Sequence, residues 1–190
     1  MTAFRSGIVC ALLVAGVALA LSDAAAQVRL FQKDEAVIAA EEGDLDTIRR
    51  LVVERHRFIW TDDQGRTPLA IAAANGDPEM VEAIAEGGGR VDAPDRLGNP
   101  PLFWAIESGD FDTVQLVLDL GADPNAPNEQ GMTPLMKAAQ WGDPDMLQTV
   151  LDAAGDVSLR DFTGKGPLSY ARESRSGRTV QILQGLGAAD

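Results

Sequence analysis

The stretch TPLAIA at 67–72 is written again as PPLFWA at 100–105, TPLMKA at 133–138 and GPLSYA at 166–171. The interval is 33 residues each time. Leu69, Leu102, Leu135 and Leu168 therefore share one column, and Ala72, Ala105, Ala138 and Ala171 share another. A period of that length marks a stacked array of small units, none of which can bury its apolar face alone.

The unit from Thr67 to Asn99 predicts two short helices and a loop. Thr67-Pro68 is a helix start: the hydroxyl can cap an orphan N–H and proline suits the first helical position. Leu69, Ala72 and Ala73 follow at helical spacing, and the alanines let a neighbouring helix approach closely. Gly76 ends the helix and Asp77-Pro78 opens the second, whose apolar stripe is Val81 and Ile84. Gly87, Gly88 and Gly89 stop it, and Asp92 to Gly98 reads as a turn and loop. The same order recurs at Gly109-Asp110 and Gly142-Asp143-Pro144. It also appears upstream at Gly43-Asp44, which exposes a degenerate first unit from about Asp34. In the last unit Arg175 stands where glycine is expected and Gly166 replaces the capping threonine. Its second helix sets Arg178, Gln181 and Gln184 around Val180 and Leu183, the pattern of a terminal cap.

These residues resemble the ankyrin repeat family. The resemblance rests on the Thr-Pro-Leu-x-x-Ala phrase, the Gly-Asp between helices, and Gly121-Ala122-Asp123 followed by Asn125. It implies an all-α solenoid of five helix-turn-helix repeats with hairpin loops, at 34–66, 67–99, 100–132, 133–165 and 166–190. The histidine that the family usually carries after the leucine is replaced by Ala70, Phe103, Met136 and Ser169.

The first 26 residues follow different rules. Arg5 precedes an apolar run from Ile8 to Leu21 and then Ala24-Ala25-Ala26, a secretory leader with cleavage expected after Ala26. The run is shorter than the roughly 20 residues a spanning helix needs. An uncleaved anchor, making the protein a membrane-attached scaffold, is the alternative. Residues 27–33 form a short lead-in. Cys10 is the only cysteine and lies in the leader, so neither a disulfide framework nor a thiolate metal site is expected in the mature chain. The expected location is the bacterial periplasm.

The net charge is −13 and its distribution is uneven. Residues 62–129 hold three basic and fourteen acidic side chains, whereas 160–190 hold five basic and three acidic. No basic patch suited to phosphates is present, so nucleic acid is not an expected partner. An acidic middle suits a basic protein. Many acids also have a local explanation: Asp44, Asp77, Asp110 and Asp143 are expected helix caps, and Glu79, Glu82 and Asp112 lie in first turns.

No catalytic set emerges. His56 is the only histidine and reads as a helix-end residue, without partners for a zinc site. No Gly-x-Ser-x-Gly turn occurs. Asp62-Asp63-Gln64-Gly65 lacks calcium-loop spacing, and its counterparts at 95–98 and 128–131 mark it as a recurring loop turn. No enzyme activity, cofactor or metal is expected.

The resemblance implies binding through loop tips and the concave face of the first helices. By position this selects Arg66, Arg96, Leu97, Asn99, Glu107, Glu129, Met132, Gln140, Trp141, Phe162 and Lys165 as partner-binding residues. Leu97, Met132, Trp141 and Phe162 are large apolar residues in columns expected to be exposed. Trp141 has two open readings, partner anchor or local packing under the next loop; it is assigned here to the binding face. Phe103 is expected to fill space between loops, Trp104 is left open, and Trp60 is expected to pack in core or loop. The expected function is a monomeric, non-enzymatic protein-binding module that no longer touches the membrane after leader removal. The alternatives are an immunity or inhibitor protein against an envelope toxin or hydrolase, and an accessory to an envelope stress-defence enzyme.

Overall fold

The computed structural model describes residues 33–188. The leader, its cleavage point and most of the 27–33 lead-in lie outside them. Ten helices follow in order: α1 (Glu35–Glu42), α2 (Leu45–Val53), α3 (Pro68–Asn75), α4 (Pro78–Glu86), α5 (Pro101–Ser108), α6 (Phe111–Asp119), α7 (Pro134–Trp141), α8 (Pro144–Asp152), α9 (Pro167–Glu173) and α10 (Gly177–Gly185). Odd-numbered helices pack against one another in sequence, and so do even-numbered ones, giving two layers of stacked helix pairs. No helix among the described residues is long and apolar enough to cross a membrane.

The repeat columns explain the packing. Leu69, Leu102 and Leu135 are fully buried and Leu168 nearly so, and the alanines at 72, 105, 138 and 171 are completely enclosed. In the second layer Ile48, Val81, Val114 and Leu147 form one buried column; Leu51, Ile84, Val117, Val150 and Leu183 form another. Val180 continues the first of these and is half-buried against the core.

Each second helix but the last is capped as expected. Asp44, Asp77, Asp110 and Asp143 accept the N–H of Thr47, Met80, Thr113 and Met146 at 2.8–3.0 Å. Thr67 and Thr133 cap α3 and α7, accepting the N–H of Ala70 and Met136. Pro100 and Gly166 supply no side-chain cap to α5 and α9.

Arg175 takes the conformation its glycine counterparts take. Gly43, Gly76, Gly109 and Gly142 have φ between 66° and 83°, and Arg175 has φ 61°. An L-residue there costs roughly 1–2 kcal/mol, partly offset in glycine by the entropy it loses on folding. Arg175→Gly is therefore expected to raise stability by about 0.5–1 kcal/mol in a urea melt. A loss of stability would show that the arginine side chain contributes more than its backbone strain removes.

Candidate binding face

The loops form a ladder. Asp62, Asp95, Asn128 and Asp161 are buried, and each side chain accepts the N–H groups two and four residues on, at 2.8–3.0 Å. The charged or amide oxygen thus folds its own loop into a tight turn. Successive loops are joined by backbone rungs: Arg96 N–H to Gln64 C=O at 3.0 Å, Glu129 to Leu97 at 2.9 Å and Phe162 to Gln130 at 3.0 Å. The missing family histidine is not needed for this bracing, which the main chain supplies.

Side chains extend the bracing inward. The Trp104 indole N–H donates to Asp95 Oδ2 at 3.1 Å, and the Tyr170 hydroxyl donates to Asp161 Oδ2 at 2.6 Å. Asn128 Nδ2 donates to Asn99 Oδ1 at 2.8 Å, and Asn99 Nδ2 donates to Asp95 Oδ2 at 3.0 Å, linking two repeats. Burial pushes the Asp161 carboxyl up, but hydrogen bonds from Tyr170, Thr163 and the Lys165 N–H outweigh it and hold the group at about 2. In Asp62 burial likewise opposes, and the bonds from Arg66 and Gln64 win, so its carboxyl is lowered. Burial first, then Asp161, pushes the Tyr170 phenol up. The Asp62 and Asp161 carboxylates stay ionised and committed to their loops.

Several cations are also committed. Arg66 Nε donates to Asp62 Oδ2 at 2.8 Å while its guanidinium lies 5.1 Å from the Trp104 ring centre. The Lys137 ammonium pairs with Glu107 and lies 5.1 Å from the Phe103 ring centre. Lys165 pairs with Glu173 at 2.7 Å and sits over Tyr170. Phe103 itself is buried.

Other side chains of the candidate set are open to solvent. Leu97, Trp141 and Phe162 are 55%, 46% and 79% exposed. Trp141 combines the two readings left open for it: its ring edge lies where a Cβ on Gly109 would be 3.0 Å away, while nearly half of it faces solvent. Arg96, Glu129 and Gln140 are exposed as well.

Family models described as ankyrin repeats match residues 36–128 (three copies) and 116–171 (many copies). The chain belongs to the ankyrin repeat family. A search of curated proteins found no match. Ankyrin repeats are typically non-catalytic modules that bind proteins. Among the described residues, no cluster of three His, Cys, Asp or Glu side chains is placed to hold a metal ion.

Within this ankyrin array the expected contact residues divide in three. Arg96, Leu97, Glu129, Gln140, Trp141 and Phe162 present exposed side chains. Asn99 does not: it is 5% exposed and bridges Asp95 to Asn128, so it is a loop strut rather than a contact residue. Met132 is half-buried against the core, not an exposed apolar tip. Arg66, Glu107 and Lys165 reach the face but already hold partners. Trp60, expected to be packed, is 59% exposed.

The reading of the sequence missed the bracing roles of Trp104 and Tyr170. A signal existed: each stands nine residues after an acidic loop residue, Asp95 and Asp161. Ile71 occupies that column in the second repeat, and there Arg66 meets the Asp62 carboxylate instead.

Proposed function

We propose that this ankyrin protein is a non-enzymatic protein-binding module of the bacterial periplasm, recognising its partner through loop tips and the concave face of the first helices. The observation that carries the reading is the exposure of Leu97 and Phe162 on loops braced one to the next, together with that of Trp141 at the C-terminal end of α7. Rigid, exposed aromatic and aliphatic side chains lose little entropy on binding and are favoured at interface hot spots. Exposed Glu129 and the acidic middle of the chain favour a partner with basic groups. That charge also favours a narrower reading, an inhibitor or immunity protein directed at a basic envelope toxin or hydrolase.

The test is quantitative capture from an envelope extract with the natural chain and with Trp141→Ala combined with Phe162→Ala. A partner enriched by the natural chain is expected to be retained at least about tenfold less by the variant, the loss of one or two hot-spot contacts. Equal retention by a folded variant would sink the site. The periplasmic setting rests on Arg5, the Ile8–Leu21 run and the small residues at 24–26. N-terminal sequencing of the exported protein is expected to begin at Gln27; an intact leader would favour the anchored scaffold.

A further inference from the structure

A second surface lies on the even-numbered layer, away from the loop tips. A groove of about 590 Å³ runs between α2 and α4. Val52, Val53 and Ala83 make its apolar part, and Glu79, Glu82 and Glu86 line it from α4. The three glutamates stand at i, i+3 and i+7, so they share one helix face along about 10 Å. Among the described residues Arg49 is the one base lining the groove, an exposed residue 3.7 Å from Glu79.

A smaller groove of about 380 Å³ recurs at the equivalent place between α6 and α8, with Thr149 and Asp152 in the columns of Ala83 and Glu86, so what sets the α2–α4 groove apart is its size and its lining. Ala83 stands in the column of Arg50, Leu116, Thr149 and Ile182 and has the smallest side chain of the five. Val53 is 83% exposed in a column that holds Glu86, Asp119 and Asp152 in the next three repeats and Gly185 in the last. Glu82 stands in a column of glutamines at 115, 148 and 181. Helix capping does not account for Glu86, which lies in the last turn of α4, where the helix dipole disfavours an anion.

We infer that this groove docks a basic amphipathic helix of a partner protein. Lysines or arginines at helical spacing would meet the three carboxylates over two turns, and an apolar stripe would settle on Val52, Val53 and Ala83. A third helix laid between two packed ones is an ordinary arrangement at interaxial distances of 8–10 Å. The site is separate from the first-layer face and does not depend on it.

The test uses the natural chain and a labelled Leu/Lys amphipathic helical peptide of about 14 residues, four turns. Anisotropy is read at about 0.15 M salt, where remote surface charges are screened. Ala83→Leu and the pair Glu82→Gln with Glu86→Gln are each expected to weaken binding about tenfold. Ala83→Leu and Glu82→Gln install residues that the array already carries in those columns, at Leu116 and Gln115, and a melt checks that folding is kept. The pair Asp145→Asn with Asp152→Asn removes as much charge from α8, and Trp141→Ala with Phe162→Ala alters the other face; both are expected to change binding less than twofold. Absence of binding, indifference to Ala83→Leu, equal loss with the α8 pair, or loss with the Trp141 pair would each overturn the proposal.

Discussion

Leu102→Ala is expected to cost the array about 3–4 kcal/mol, read from a urea melt followed by circular dichroism. Leu102 is completely buried, on α5, between repeats on both sides. Truncation removes the transfer energy of three carbons and leaves a cavity. The cavity cannot readily collapse, because the neighbouring helices are already closely packed and Ala72, Ala105 and Ala138 on them are fully buried. Domains are stable by only about 5–15 kcal/mol, so such a loss is a large share of the total.

The position adds a second expectation. Stability in stacked repeats is a sum of unit and neighbour terms, and a weak link in the middle uncouples the halves. Leu102→Ala should therefore broaden the transition or split it. Leu168→Ala, in the same column at the end of the array, should fray the last repeat and leave the rest cooperative. Identical single transitions for both would contradict the neighbour-by-neighbour picture.

The second large effect is expected at Gly98. Its φ is +80°, and a Cβ there would lie 2.8 Å from the Glu129 backbone nitrogen. Gly98→Ala must move the rung between Glu129 and Leu97 as well as adopt a strained backbone, for an expected loss of about 2–4 kcal/mol. Gly43→Ala is the control, since it shares the positive φ but meets nothing within 4 Å; its loss should stay near 1–2 kcal/mol. Because Leu97 and Glu129 belong to the exposed edge, Gly98→Ala should also speed amide exchange in the 95–99 and 128–132 loops. Unchanged exchange would mean that the loops are held without the rungs.

The columns of the sequence carried most of the fold. A fixed period assigns Leu102 and Ala105 to the core, Asp110 to a cap and Gly109 to a left-handed turn, because all repeats obey the same packing geometry. Period says where a residue stands along the unit but not which way its side chain turns. Arg66, Asn99, Met132 and Lys165 share a column, and each turns to a different neighbour: Asp62, the Asp95–Asn128 pair, the core and Glu173. That choice depends on residues in adjacent repeats, such as Asn128 standing where the other loops have aspartate. The α2–α4 groove was legible only in part, as an alanine in a column whose other members (Arg50, Leu116, Thr149 and Ile182) are all larger, and that difference acquires meaning once the two helices are seen side by side.

The most direct measurement is site-specific photo-crosslinking in the native envelope. A photoreactive phenylalanine analogue is placed at Phe162 and, separately, at Gln181 on the other helix layer, where the side chain is exposed too. Recognition through the loop tips predicts a discrete protein adduct from position 162 that persists in high salt and is missing from position 181. Adducts from position 181 with none from 162 would contradict it.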